Sequence, residues 1–119
     1  MESEEAKKKV EELQVLESYL QNFLLQRQSI NFEINEITNA LDELKNAGEE
    51  VYKISSGIMF KSDKNKLKIE LEEKRKILDI KISSIEKQEK LLEKNSTDLK
   101  EEINKFISRD DNNEHNYIK

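Results

Sequence analysis

Apolar residues recur through the first part of the chain in alternating steps of three and four. The series is Leu13, Leu16, Leu20, Phe23, Arg27, Ile30, Ile34, Ile37, Leu41 and Leu44, with Arg27 its one polar member. Such a step turns one narrow stripe toward a partner helix, the seam of a coiled coil. No proline interrupts the sequence, and Gly48 and Gly57 are its only glycines. Proline breaks helices and glycine weakens them, so helices here can run for tens of residues. The first is expected over residues 3–47. Ser3 serves as its N-cap, and Glu4 and Glu5 lie in the first turn, where the helix dipole favours anions. Lys45 followed by Gly48 marks its end.

A second series follows Asp63: Leu67, Leu71, Lys74, Leu78, Ile82, Ile85, Glu89, Leu92, Ser96, Leu99, Ile103 and Phe106. Two consecutive steps of four, Lys74 to Leu78 to Ile82, interrupt the heptad and locally unwind a supercoil. Polar Glu89 and Ser96 weaken the seam further along. Four pairs, Glu70 with Lys74, Glu72 with Lys76, Glu86 with Lys90 and Glu101 with Lys105, have the favourable i,i+4 orientation of an exposed helix. The second helix is expected over residues 63–108 with Asp63 as its N-cap. Residues 109–119, which include Asp110-Asp111-Asn112-Asn113, form a polar tail expected to be disordered.

Residues 1–48 carry five Lys/Arg against ten Asp/Glu, while residues 63–108 carry twelve against eleven. Unlike charge favours packing the two helices on each other. Folded back antiparallel, residue i of the first helix faces roughly residue 112 − i of the second. The connector reads Glu49-Glu50-Val51-Tyr52-Lys53-Ile54-Ser55-Ser56-Gly57-Ile58-Met59-Phe60-Lys61-Ser62. Two β-branched and aromatic runs flank Ser55-Ser56-Gly57, and Gly57 supplies the positive φ of a tight turn. The fold class expected is therefore mostly α: a long antiparallel two-helix coiled coil with one β-hairpin, residues 51–61, inserted between the helices. Residues 1–108 form a single domain. An isolated hairpin is marginal in water and leaves both its edges unpaired. Two thin helices do not cover it, so the chain is expected to be an oligomer subunit joined through its hairpin.

Several functions are excluded by what the chain lacks. It has no cysteine and a single histidine, His115, which leaves no thiol nucleophile, disulfide or multi-His metal site. No catalytic, cofactor-binding or metal site is expected. Its longest apolar runs are three residues, Phe23-Leu24-Leu25 and Ile58-Met59-Phe60, too short for a membrane helix. The net charge of −5 gives no support to nucleic-acid binding. Lys7-Lys8-Lys9 and the stretch from Lys61 to Lys76, which also holds Asp63, Glu70, Glu72 and Glu73, read as solvated helix faces. The lack of disulfides fits a cytoplasmic protein.

Helix, hairpin and helix in this order resemble the β-type subunits of the prefoldin family. The resemblance rests on Ala40-Leu41-Asp42-Glu43-Leu44, then Val51-Tyr52-Lys53, Gly57 and Ile58-Met59-Phe60. Leu67, Leu71, Lys74 and the stretch Ile85-Glu86-Lys87-Gln88-Glu89 also match. It implies an ATP-independent holdase subunit in a hetero-hexamer with α-type prefoldin subunits. The hairpins would build a common β-barrel. The coiled-coil arms would hold unfolded protein clients at their tips and pass them to a group II chaperonin. The candidate client-binding residues are Val10, Leu13, Val15, Leu16, Tyr19, Leu99, Ile103, Phe106 and Ile107. Of these, Val10, Val15, Tyr19 and Ile107 lie off the stripe, and the others serve the seam equally well. The candidate assembly residues are Val51, Tyr52, Ile54, Gly57, Ile58, Met59 and Phe60. A structural coiled-coil scaffold or tether, without client binding, is the alternative reading.

Overall fold

The computed structural model of the protein describes residues 4–118. Helix α1 spans Glu4–Lys45, strand β1 Glu50–Ser55, strand β2 Ile58–Asp63 and helix α2 Lys64–Ile118. This is the expected mostly α architecture, two long helices with one antiparallel hairpin between them. Ser3, the expected N-cap of α1, lies outside the described residues. The hairpin is longer than 51–61 by one residue at its start and two at its end. Helix α2 does not stop at residue 108: its backbone stays helical to Ile118, where a disordered tail was expected. No glycine or proline occurs after residue 63. Polarity removes the reason to bury a segment, but it does not by itself interrupt the i to i−4 hydrogen bonding of a helix already under way.

The chain falls into two units, one combining Met1–Leu25 with Glu86–Lys119 (unit 1) and one formed by Gln26–Ile85 (unit 2). In unit 2 the buried apolar residues are Ile37, Leu44, Val51, Leu78 and Ile85. Ile30, Ile34, Leu41, Leu67, Leu71 and Ile82 are half-buried beside them. In unit 1, Leu13, Leu16, Leu20, Phe23, Leu92, Leu99, Ile103 and Phe106 are half-buried. The burial pattern thus follows the three-four series on both helices. Lys74 is the exception: it is exposed, because the irregular step at this point lets a charged residue leave the stripe without breaking it. Glu89 and Ser96 are buried in the seam, and no buried side-chain polar atom among the described residues lacks a hydrogen-bond partner. No described side chain is completely enclosed, as expected where the core is one seam wide.

The join between α1, the hairpin and α2 is held by polar contacts. Asp63 Oδ1 accepts the Lys66 backbone N–H at 2.7 Å, the N-cap expected of it. The Lys64 N–H donates to the Glu49 carbonyl at 3.0 Å. Its ammonium donates to the carbonyls of Lys45 and Ala47 at 3.3 and 3.1 Å. A cation from the first residue of α2 therefore satisfies the carbonyl end of α1, where the helix dipole is negative. Gly48 does not adopt a positive φ, so α1 ends on this lysine contact and not on a left-handed glycine.

The strands pair antiparallel with Val51 opposite Ser62, Lys53 opposite Phe60, Ile54 opposite Met59 and Ser55 opposite Ile58. Two residues, Ser56 (φ 53°) and Gly57 (φ 78°), make the turn. Two positive φ values in a two-residue loop are the signature of a type I′ turn, whose twist matches that of the strands. Space around the Gly57 Cα is open, so any cost of a side chain there comes from backbone conformation. Gly57→Val is expected to weaken the hairpin by about 1–2 kcal/mol, the penalty of a left-handed L-residue. Ser56→Asn is expected to strengthen it, since asparagine tolerates that conformation. Hydrogen exchange of the strand amides reads both; equal protection in the two variants would contradict the turn assignment.

Candidate functional site

Side chains alternate across a strand, so the register divides the hairpin into two faces. One face carries Val51, Lys53 and Ser55 with Ser62, Phe60 and Ile58. Val51 is buried on it, and the Lys53 ammonium donates to both carboxylate oxygens of Glu70 at 2.9 and 3.1 Å. That pair ties this face to the start of α2, while Ile58 and Phe60 stay exposed. The other face carries Tyr52, Ile54 and Met59, which are 61, 72 and 64% exposed, rimmed by the Glu50–Lys61 ion pair at 3.0 Å. Among the described residues the sheet has two strands, so each strand also presents an unpaired edge. Of the seven candidate assembly residues, Val51 and Gly57 thus serve the hairpin itself. The other five form open apolar surface on a sheet with two free edges.

In unit 1 the pairing of the helices is marked by two ion pairs, Lys9 with Glu102 and Lys100 with Glu17, the latter at 3.7 Å. They place α1 and α2 antiparallel, with Lys9–Glu102 within one residue of the expected register and Glu17–Lys100 five residues from it. The Glu102 hydrogen bond holds the Lys9 ammonium's pKa above the ordinary lysine value, offset in part by desolvation and aided by the charges of Glu102, Glu5 and Glu12. A raised pKa of this kind means that the attraction is complete below the ordinary lysine range and is lost as pH rises through the raised value. On so exposed a surface it fixes register more than stability.

The nine candidate client-binding residues separate by exposure. Val10, Val15, Tyr19 and Ile107 are 39, 51, 54 and 53% exposed, whereas Leu13, Leu16, Leu99, Ile103 and Phe106 are half-buried in the seam. Val10 and Ile107 come together with Ile103 and Phe106 around a shallow groove of about 390 Å³, with Lys7 and Glu11 among its walls. Val15 and Tyr19 do not line it. The arrangement suits reversible contact with apolar segments: greasy side chains flanked by charge, with no deep pocket to demand one shape.

Residues that sequence reasoning missed lie at the base of the hairpin. Lys53 stands inside the Val-Tyr-Lys motif, but nothing in the sequence pairs it with Glu70, whose expected partner was Lys74. Glu70 takes Lys53 instead, and the other three expected i,i+4 pairs do not close among the described residues. Solvated pairs of long side chains gain little from closing. No group of three His, Cys, Asp or Glu among the described residues is placed to hold a metal ion. No described helix is long and apolar enough to cross a membrane.

Comparison with known proteins places this geometry in context. Residues 7–109 match the family described as Prefoldin subunit. The chain is 33% identical over 107 residues to the prefoldin subunit beta of Saccharolobus islandicus, covering 88% of this chain and 85% of that protein. It is 32% identical over 99 residues to the prefoldin subunit beta of Sulfurisphaera tokodaii, covering 82% and 79%. The crystal structure of the prefoldin beta subunit from Thermococcus strain KS-1 superposes with a TM-score of 0.78 at 28% identity. It covers 85% of this chain and 90% of that one. A three-four seam along each helix, a single two-stranded hairpin between them and these relatives agree: the chain belongs to the prefoldin family, as a chaperone subunit of the β type.

Proposed function

We propose that the chain is an ATP-independent holdase subunit of a cytoplasmic hetero-hexamer containing α-type prefoldin subunits. It assembles through the faces and edges of its hairpin. It binds unfolded protein clients on the unit 1 surface around Val10, Val15, Tyr19 and Ile107, with Leu13, Leu16, Leu99, Ile103 and Phe106 behind them, and delivers them to a group II chaperonin. The observation that carries this reading is the presence of two apolar surfaces, one in each unit, on one chain of the prefoldin family. One lies on a sheet with unpaired backbone edges, which favours fixed partners. The other lies on helix faces whose backbone is already satisfied, which favours transient ones. Each exposed side chain on unit 1 contributes about 1–2 kcal/mol at most when covered. Several copies acting together retain a client, while each contact still releases.

The test is light scattering from a chemically denatured protein diluted into buffer with the assembled subunits. Suppression of aggregation at stoichiometric amounts, without ATP, is the expected result. Unchanged scattering, with the assembly intact by mass, would instead identify a scaffold or tether that holds no client.

A further inference from the structure

The seam of unit 1 is unequal at the start of α1. Stepping back from Leu13 by four and then three residues, the stripe on α1 passes through Lys9 and Ala6. Both are half-buried, as that phase requires. Across from them stand Ile103 and Phe106: Lys9 pairs with Glu102, and Ala6 lines one groove with Ile103 and Phe106. Two large apolar side chains of α2 therefore meet a lysine and an alanine. The remaining seam positions of α1 in this unit, Leu13, Leu16, Leu20 and Phe23, are all large and apolar.

The lysine does not make up the difference. Its ammonium turns to Glu102, and neither residue lines the groove of about 390 Å³. By helical phase Lys9 and Glu102 lie on one flank of the seam, and Val10, Gln14 and Ile107 on the other. The groove thus opens where the α1 seam offers only the methyl group of Ala6. Val10 and Ile107, 39 and 53% exposed, are its apolar walls, and Lys7 and Glu11 add one charge of each sign.

The spacing decides what fits. Ile103, Phe106 and Ile107 are three and four residues apart, so they rise by about 4.5–6 Å along the helix. A partner helix presents its i, i+3 and i+4 side chains at the same interval. An extended chain puts same-face side chains about 6–7 Å apart and falls out of step. The α1 wall, from Ala6 to Gln14, is about 12 Å long, or about two turns of helix.

We infer that the groove holds an amphipathic helical segment of a client, its aliphatic side chains at i, i+3 and i+4 standing over Ile103 and Phe106, and that the small size of Ala6 sets the affinity. The inference rests on the proposed client binding by unit 1 and adds the conformation and period of the segment taken. The contact is a third helix laid in the crevice between two. One cation and one anion at the rim give no preference for client charge. A shallow groove asks for a spacing of apolar groups and not for particular residues, as reversible contact with varied sequences requires.

The test uses the full-length chain in its assembly and two labelled peptides of about 14 residues, marginal as helices on their own. The peptides share one composition; one places leucines at i, i+3 and i+4 steps, and the other scrambles them. Fluorescence anisotropy is expected to show the periodic peptide bound about tenfold tighter, and Ala6→Leu to remove that preference by filling the groove. Lys8→Leu, which adds the same side chain at an exposed position outside the groove, keeps it. Equal binding of the two peptides, or a preference that survives Ala6→Leu, overturns the inference. Suppression of client aggregation by the unsubstituted assembly reports on the proposed function separately. Where suppression persists with no preference between the peptides, the function stands and the helical groove falls; where suppression is absent, both fall.

Discussion

The double substitution Ile54→Lys, Met59→Lys is expected to leave the chain monomeric with its helices intact. The two residues are cross-strand partners on the open hairpin face, 72 and 64% exposed. Changes at such positions cost an isolated subunit little, within about 0.5 kcal/mol. In an assembly built on this face, two ammonium groups would have to be buried without partners. Several kcal/mol each is the ordinary penalty, and every 1.4 kcal/mol is about a factor of ten in affinity. Association should therefore weaken at least about a thousandfold. Charged residues on strands are also the usual means by which proteins prevent edge pairing. Mass measurement of the variant, alone and with partner subunits, decides the matter, with circular dichroism as the control for folding. An oligomer of parental mass would show that the hairpin is not the joint.

Replacing the four exposed apolar residues of unit 1, in the variant Val10→Ser, Val15→Ser, Tyr19→Ser, Ile107→Ser, is expected to abolish suppression of client aggregation and leave assembly unchanged. None of the four lies on the seam, so helix pairing persists through Leu13, Leu16, Leu99, Ile103 and Phe106. Removing about 1 kcal/mol of apolar contact at each lowers the affinity of a single subunit by up to roughly a thousandfold, and avidity multiplies the loss. Deleting residues 1–15 is a blunter version, since it also uncovers the seam residues of α2. Undiminished suppression by the substituted chain would move client binding to another surface. Loss of the oligomer would mean that these residues serve assembly.

Much of this protein was legible without coordinates because its core is one-dimensional. A three-four series of apolar residues has few ways to be satisfied, and each position from Leu13 to Leu44 is buried or half-buried as its phase requires. The hairpin was legible because Ser56-Gly57 stands between two β-rich runs, and the capping role of Asp63 followed from local chemistry. The split of the candidate client residues into exposed and half-buried sets also follows from helical phase alone.

What pattern reading missed depends on contacts between residues that no spacing rule links. Lys53 meets Glu70, and Lys64 meets the last carbonyls of α1, because the chain turns through the hairpin and brings them together. The polar stretch after Arg109 remains helical, since composition measures the gain from burial and not the continuity of backbone hydrogen bonds. The sequence by itself determined the two helices, their seam, their antiparallel pairing and the turn, all consequences of local stereochemistry and hydrophobic period. Only the tertiary structure decided that Lys53 on one hairpin face meets Glu70 of α2 while Tyr52, Ile54 and Met59 on the other stay exposed, because that choice depends on long side chains far apart in sequence.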